Sequence, residues 1–388
     1  MTTIRQLLPR TVIIFGLVSL LNDAASEMIA PLLPLFLTAT LGAGPMVVGL
    51  IEGVAEATAS LLKLVSGWLA DRGWNPKRMV LGGYLLSNIT RPLIGLAFSW
   101  SWVLVLRFSD RIGKGLRTSP RDALIAAAVD ETVRGRAFGF HRAMDHAGAV
   151  IGPVIAFFLL QTGMDLRTVF LISIIPGVIT IILLSAGLPD SPVVIPVNNR
   201  PRLDWRSLDP KLRNLILAAG CLAFAAAPEV FLVLWAQSHG LEIVWIPLLW
   251  AAAHLVKMLI SIPMGHLSDR YGRTPIVIGG WSARIILLIL LAIINDGQLL
   301  IWIFFLAYAA AIASTEGAER AMIGDLAPRD QQGTAFGLYH MLSGILALPG
   351  ALLFGALWQW FGMSAAYLCA AALTTLMVGF LLRQNSFR

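Results

Sequence analysis

Long apolar stretches separated by short polar breaks run the whole length of the chain. Each of twelve such stretches approaches or exceeds the ~20 residues that a helix needs to cross a bilayer. In the first half the predicted spans are about 11–37, 46–70, 78–99, 102–127, 136–160 and 168–188. In the second they are about 214–237, 244–267, 275–294, 299–322, 334–358 and 364–382. Between the halves the pattern breaks into prolines, Asn198-Asn199 and a basic run. Such punctuation reads as a linker. The organisation expected is an N-terminal bundle over 1–188, a cytoplasmic linker over 189–213 and a C-terminal bundle over 214–388.

Two phrases recur at one offset. Gly67-x-x-x-Asp71-Arg72 returns as Gly265-x-x-x-Asp269-Arg270, and 269 − 71 = 198. Gly135-x-Ala137-Phe138-Gly139 returns as Gly333-x-Ala335-Phe336-Gly337, and 333 − 135 = 198. A constant offset of that size means two structurally equivalent halves. The Gly-x-x-x-Asp-Arg phrase between the second and third spans of each half resembles motif A of the major facilitator superfamily. In the first copy Trp74-Asn75 replaces the usual Gly-Arg, which the second copy keeps as Gly272-Arg273. The resemblance covers the chain. It implies an all-α membrane protein, with twelve transmembrane helices in two pseudo-symmetric six-helix bundles. It also implies alternating access, with the first, fourth, seventh and tenth helices lining a cavity.

Composition narrows the class further. The chain is 57% hydrophobic and only 13% charged, with a mean hydropathy of +0.77. An ordinary soluble domain carries about 25% charged residues. The net charge of +7 does not imply a nucleic-acid partner, because the basic residues sit in loops on one side. Arg72, Lys77, Arg78, Arg134, Arg136 and the 200–213 run lie there, whereas the opposite loops hold only Arg167. By the positive-inside rule both termini and the linker are cytoplasmic, in the cytoplasmic (inner) membrane. The first apolar run is too long for a cleavable signal. Trp100, Trp102, Trp235, Trp245, Trp302, Trp358 and Trp360 fall near outer span ends and read as an interfacial belt. Cys221 and Cys369 read as buried small hydrophobes.

Charges inside spans carry the candidate chemistry, since each costs at least ~2.5 kcal/mol at the bilayer centre. The first span holds Asp23 and Glu27, four apart and so on one helix face, and Pro31 and Pro34 loosen its outer end. The second adds Glu52, Glu56 and Lys63, and the third adds Asn88 and Arg91. Mutual neutralisation inside the bundle suffices to explain Glu52, Lys63 and Arg91. The fourth span carries Arg107, Asp110, Arg111, Lys114, Arg117, Arg121 and Asp122. Its Arg107-x-x-Asp110-Arg111-x-Gly113 stretch resembles motif B, with Asp110 and Arg111 where the family has Gln and Gly. The Gly-Lys-Gly there lacks P-loop spacing.

In the fifth span Gly139, Gly148, Gly152 and Pro153 resemble motif C, the mark of proton-driven antiporters, with Ala156-Phe157 at its close. Glycines so spaced let helices pack closely, and the proline kinks the span. The same span holds His141, Arg142, Asp145 and His146. Glu229 in the seventh span and Glu316 in the tenth complete the cavity set.

These residues favour proton-coupled efflux of a small organic compound by a secondary transporter. Asp23, Glu27, Glu56, Arg107, Asp110, Arg111, Lys114, Glu229 and Glu316 form the proton and substrate set. Transport of an anionic metabolite or a metal chelate such as a siderophore is the alternative, from Arg111, Lys114 and Arg117. A membrane receptor that transports nothing is an alternative of another class. No zincin or Ser-His-Asp grouping points to an enzyme. No cofactor or bound metal is expected beyond the proton gradient, and the partners are a small-molecule substrate and the lipid bilayer, with the protein monomeric. The family's gate implies that Asp71 docks on the start of the eleventh span at Gly333-Thr334. The repeat implies that Asp269 docks on Gly135-Arg136. Gly67, Arg72, Gly265 and Arg270 complete the two copies, with the arginines locking the acids through nearby carboxylates.

Overall fold

A computed structural model describes residues 9–72, 74–129, 134–187, 205, 208–294, 297–327 and 332–383. Side chains at 71, 134–136, 332–334, 380–381 and 383 lie outside the described set, so the docking expected of Asp71, Arg136 and Thr334 does too. The first five spans are α1 Arg10–Glu27, α2 Pro45–Asp71, α3 Pro76–Leu93, α4 Trp100–Ala127 and α5 Arg134–Gln161. α6 runs Leu166–Ile172 and on through Ile174–Gly187, and α7 is in two pieces, Pro210–Ala225 and Glu229–Ser238. Then come α8 Ile246–Tyr271, α9 Arg273–Ile293, α10 Gln298–Leu326, α11 Gln332–Phe361 and α12 Met363–Arg383. Among the described residues, eight of these are long and apolar enough to cross a membrane by length and composition alone: α2 and α5 to α11.

The 198-residue register extends from the motifs to the element boundaries. α1 ends at Glu27 and the first piece of α7 at Ala225; α4 starts at Trp100 and α10 at Gln298. α5 starts at Arg134 and α11 at Gln332, again 332 − 134 = 198. The chain divides into two compact units, Met1–Phe36 with Thr58–Asn198, and Leu37–Ala57 with Asn199–Arg388. The first turns of α2 therefore cluster with the second unit.

Helix starts follow their sequence signals. Pro76 and Pro210 occupy first turns, where an N–H would be unsatisfied anyway. Asn75 accepts from the Arg78 amide at 3.2 Å and Asp209 from the Lys211 amide at 2.7 Å. Asp165 caps α6 through the Thr168 amide at 3.1 Å, and hydrogen bonds from Thr168 hold its carboxyl below the usual carboxylate range. A depressed value means that the cap stabilises above the unfolded pKa and is lost as pH falls through the folded one. Gly272 ends α8 at φ +93°, a backbone conformation that strains any residue with a Cβ.

Two spans break where continuous helices were predicted. The first was expected to run to Leu37. Instead α1 stops at Glu27, turns through Met28–Leu32, and resumes as Leu33–Leu35 and a π turn at Phe36–Thr40. Pro31 and Pro34 lack the amides to continue the ladder. The seventh breaks at Ala226–Pro228 for the same reason. Backbone groups freed by such a break in lipid need partners. The Tyr308 hydroxyl donates to the Ala227 carbonyl at 3.3 Å.

Helix seams are built on glycine. A Cβ at Gly83 would lie 2.6 Å from the Gly113 carbonyl, which brings α3 and α4 into backbone contact. A Cβ at Gly148 would lie 3.0 Å from the Asp23 Cβ, and one at Gly152 would be 3.0 Å from the Ala24 Cα, so α5 packs tightly on α1. Gly350 on α11 meets Phe224 of α7 in the same way, at 2.8 Å from its Cα, and 350 − 152 = 198. A Cβ at Gly139 meets nothing within 4 Å among the described residues.

One tryptophan also departs from expectation. Trp235 is fully buried, donating from Nε1 to the Leu291 carbonyl at 3.1 Å, so it is core rather than belt. Trp100, Trp102, Trp245 and Trp360 are exposed as a belt requires. Cys221 and Cys369 are half-buried.

Candidate functional site

α4 carries a charge every three or four residues, so its charges line one face. At its middle Asp110 is fully buried. Its Oδ1 accepts from Arg91 Nε at 2.8 Å, while Arg107 Nη1 and Arg111 Nε each stand 3.6 Å from Oδ2. Arg91 also donates to the Asn22 carbonyl at 3.1 Å and to its Oδ1 at 3.0 Å. Asn22 then donates to Asp23 Oδ1 at 3.0 Å. Arg117, buried too, donates to Ser87 at 2.6 Å and lies 4.5 Å from the centre of the Tyr84 ring. One buried carboxylate thus holds together α3 and α4 and reaches α1 through Arg91. The neutralising role of Arg91 matches the sequence reading.

Asp23 sits on the α1–α5 seam, with Asp145, Lys114, Glu27 and Arg117 within electrostatic reach. Glu27 is half-buried, and Glu56 is exposed. Asp145 accepts a hydrogen bond from the Ser19 hydroxyl and stands 3.6 Å from both His141 Nδ1 and Arg142 Nη1. The sequence reading noted His141 and Asp145 without placing them in the site. Their i,i+4 spacing on the glycine helix was the available signal.

In the second unit Lys257 Nζ donates to both carboxylate oxygens of Glu229 at 2.6 Å. Lys257 was not in the site set either. Glu316 accepts from Arg320 at 2.5 Å, one turn along its own helix, and Trp281 donates to Glu319 at 2.8 Å. Removing the lysine strands its partner. Lys257→Met is expected to destabilise by roughly 1–3 kcal/mol, and the Lys257→Met/Glu229→Gln double variant by less. Thermal melting of the purified variants in detergent measures both.

In the second motif A copy Asp269 pairs with Arg273, which reaches Asp325 at 3.3 Å and Ser268 at 3.2 Å, while Arg270 lies 5.4 Å from the Tyr271 ring centre. The equivalent position in the first copy is Asn75 (273 − 198), which caps α3 instead. Arg72 there stacks 3.7 Å from the Trp68 ring centre. Gly67 makes only ordinary contacts with Ser119, and Gly265 has nothing within 4 Å. Among the described residues no group of three or more His, Cys, Asp or Glu is placed to hold a metal.

Twelve repeated, partly broken helices with charged interiors define a polytopic membrane transporter class. The sequence profile of the Major Facilitator Superfamily matches residues 15–260 and 248–387, and the chain belongs to that family. An uncharacterized MFS-type transporter of Methanocaldococcus jannaschii, MJ1317, is 32% identical over 361 residues, covering 91% of this chain and 89% of that one. Multidrug resistance protein MdtH of Photorhabdus laumondii is 33% identical over 135 residues, 34% of this chain and 33% of that protein. Among solved structures, a bacterial homologue of the human lysosomal transporter Spinster superposes with a TM-score of 0.80. It is 16% identical and covers 97% of both chains. The chain is accordingly a multi-pass membrane transporter and not an enzyme.

Proposed function

We propose that this transporter exports a small organic compound across the cytoplasmic membrane in exchange for protons, with both termini in the cytoplasm. The observation that carries the reading is the α1–α5 seam, where Gly148 and Gly152 bring the helices together beside the carboxylates Asp23 and Asp145. Carboxylates held in low dielectric beside cations bind and release protons as their surroundings change. The partial likeness to a multidrug resistance protein covers about a third of the chain and agrees with efflux. The proton gradient is the energy source, no cofactor takes part, and the monomer suffices.

The test is transport into everted vesicles under an imposed pH gradient, with a drug and metabolite panel as probe. Asp23→Asn and Glu27→Gln are each expected to lower gradient-driven transport about tenfold, ~1.4 kcal/mol, while folded protein is retained. Full coupling in the double variant overturns the assignment.

A second reading has its own observation. Arg91, Arg107, Arg111 and Arg117 are all buried around the buried acid Asp110. That gathering of cations on α3 and α4 favours an anionic group on the solute. Arg111→Gln is then expected to raise the apparent KM about tenfold more for anionic than for cationic compounds, ~1.4 kcal/mol of discrimination. An unchanged selectivity assigns Arg111 to neutralising Asp110.

A further inference from the structure

The network around Asp110 leaves a second, half-buried cluster unaccounted for, on the seam between α1 and α5. Ser19 and Asp23 lie one turn apart on α1, and His141, Asp145 and Gly148 lie one turn apart on α5. Gly148 abuts Asp23 and Ser19 bonds to Asp145, so the two carboxylates fall within a helical turn of each other. His141 is only 4% exposed. Its Nδ1 faces Asp145 Oδ2 at 3.6 Å, and its Nε2 is buried with no hydrogen-bond partner among the described residues. A buried ring nitrogen without a partner costs stability unless it has a use.

The charges around the cluster come from three helices. α4 turns Lys114 and Arg117 toward Asp23, and Arg121 and Asp122 toward His141. α1 adds Glu27, and α5 adds Arg142, whose own side chain is 59% exposed. Tyr84 of α3 stacks with Arg117. Cations therefore face both carboxylates.

We propose that Asp145 and Asp23 hold the coupling proton between them across the α1–α5 seam, and that His141 delivers it. This deepens the proton-coupled reading and rests on it only for what the proton drives. A proton arriving at Nε2 makes the imidazolium. The Nδ1 proton then passes to Asp145 Oδ2, which leaves neutral imidazole protonated at Nε2, and the reverse order releases it. Because Gly148 and Gly152 hold the helix backbones in contact, loading the proton removes a repulsion across the seam itself.

Infrared difference spectroscopy on the purified full chain in lipid, with pH jumps and no solute, tests this directly. The probe is the carbonyl stretch of a protonated carboxyl. The wild type is expected to lose this band as pH is raised through one titration, and Asp145→Asn to abolish it. His141→Gln should shift its midpoint by at least about one pH unit, tenfold in proton affinity. The histidine variant carries the test if Asp145→Asn does not yield folded protein. A band that survives in Asp145→Asn, an unmoved midpoint in His141→Gln, or no titrating band in the wild type overturns the proposal. The expected band pattern together with solute flux indifferent to a pH gradient leaves the site standing and removes proton coupling instead.

Discussion

Asp110→Asn is expected to be the most destabilising single charge change in the chain. The substitution removes the one buried acid that Arg91, Arg107 and Arg111 share. Breaking a buried pair by deleting one partner costs about 3–5 kcal/mol, because the remaining charge stays desolvated. Whole domains are stable by only about 5–15 kcal/mol, so a large share of the folding stability should be lost. The charge-matched double variant Asp110→Leu/Arg91→Met removes one charge of each sign and is expected to recover part of that loss. Monodisperse yield on size exclusion and melting in detergent measure both. A single variant melting within about 2 °C of wild type contradicts the role, since that corresponds to roughly 1 kcal/mol or less.

Gly152→Val is expected to act as strongly through a different mechanism. The obstacle to a side chain there is the α1 backbone at Ala24, not the end of a flexible side chain. Overpacking ordinarily costs about 1–3 kcal/mol, and more where backbone must move. Gly139→Ala on the same helix meets nothing within 4 Å and is expected to be neutral or to stabilise by up to about 1 kcal/mol through helix propensity. The two glycines are alike in the motif and opposite in effect. Equal melting temperatures for Gly152→Val and wild type contradict the seam.

Much of this was legible in the sequence, because the bilayer forces simple rules. Apolar length indicated the spans, and the phrase at Gly67 and Gly265 indicated the repeat, whose register the element boundaries keep. The breaks were legible only in part. Pro31 and Pro34 announced the first, but the matching break in α7 depends on Ala227-Pro228, which a single proline in an apolar run does not distinguish from a kink. Partners across helices were the least legible. That Arg91 rather than an α4 residue bonds Asp110 Oδ1, and that Lys257 pairs with Glu229, depends on helix rotation, which spacing within one helix does not determine. That Asp269 pairs with Arg273 was equally hidden, since it depends on the turn at Gly272 that separates them.

The most direct test of the account is proton movement coupled to solute in everted membrane vesicles. Respiration acidifies the lumen, a fluorescent amine reports the gradient, and compounds from the panel are added one at a time. The account predicts that at least one compound dissipates the gradient in vesicles carrying the wild-type protein, and that Asp23→Asn vesicles with equal protein content respond at least about tenfold less. Solute uptake that proceeds at the same rate after the gradient is collapsed would contradict it.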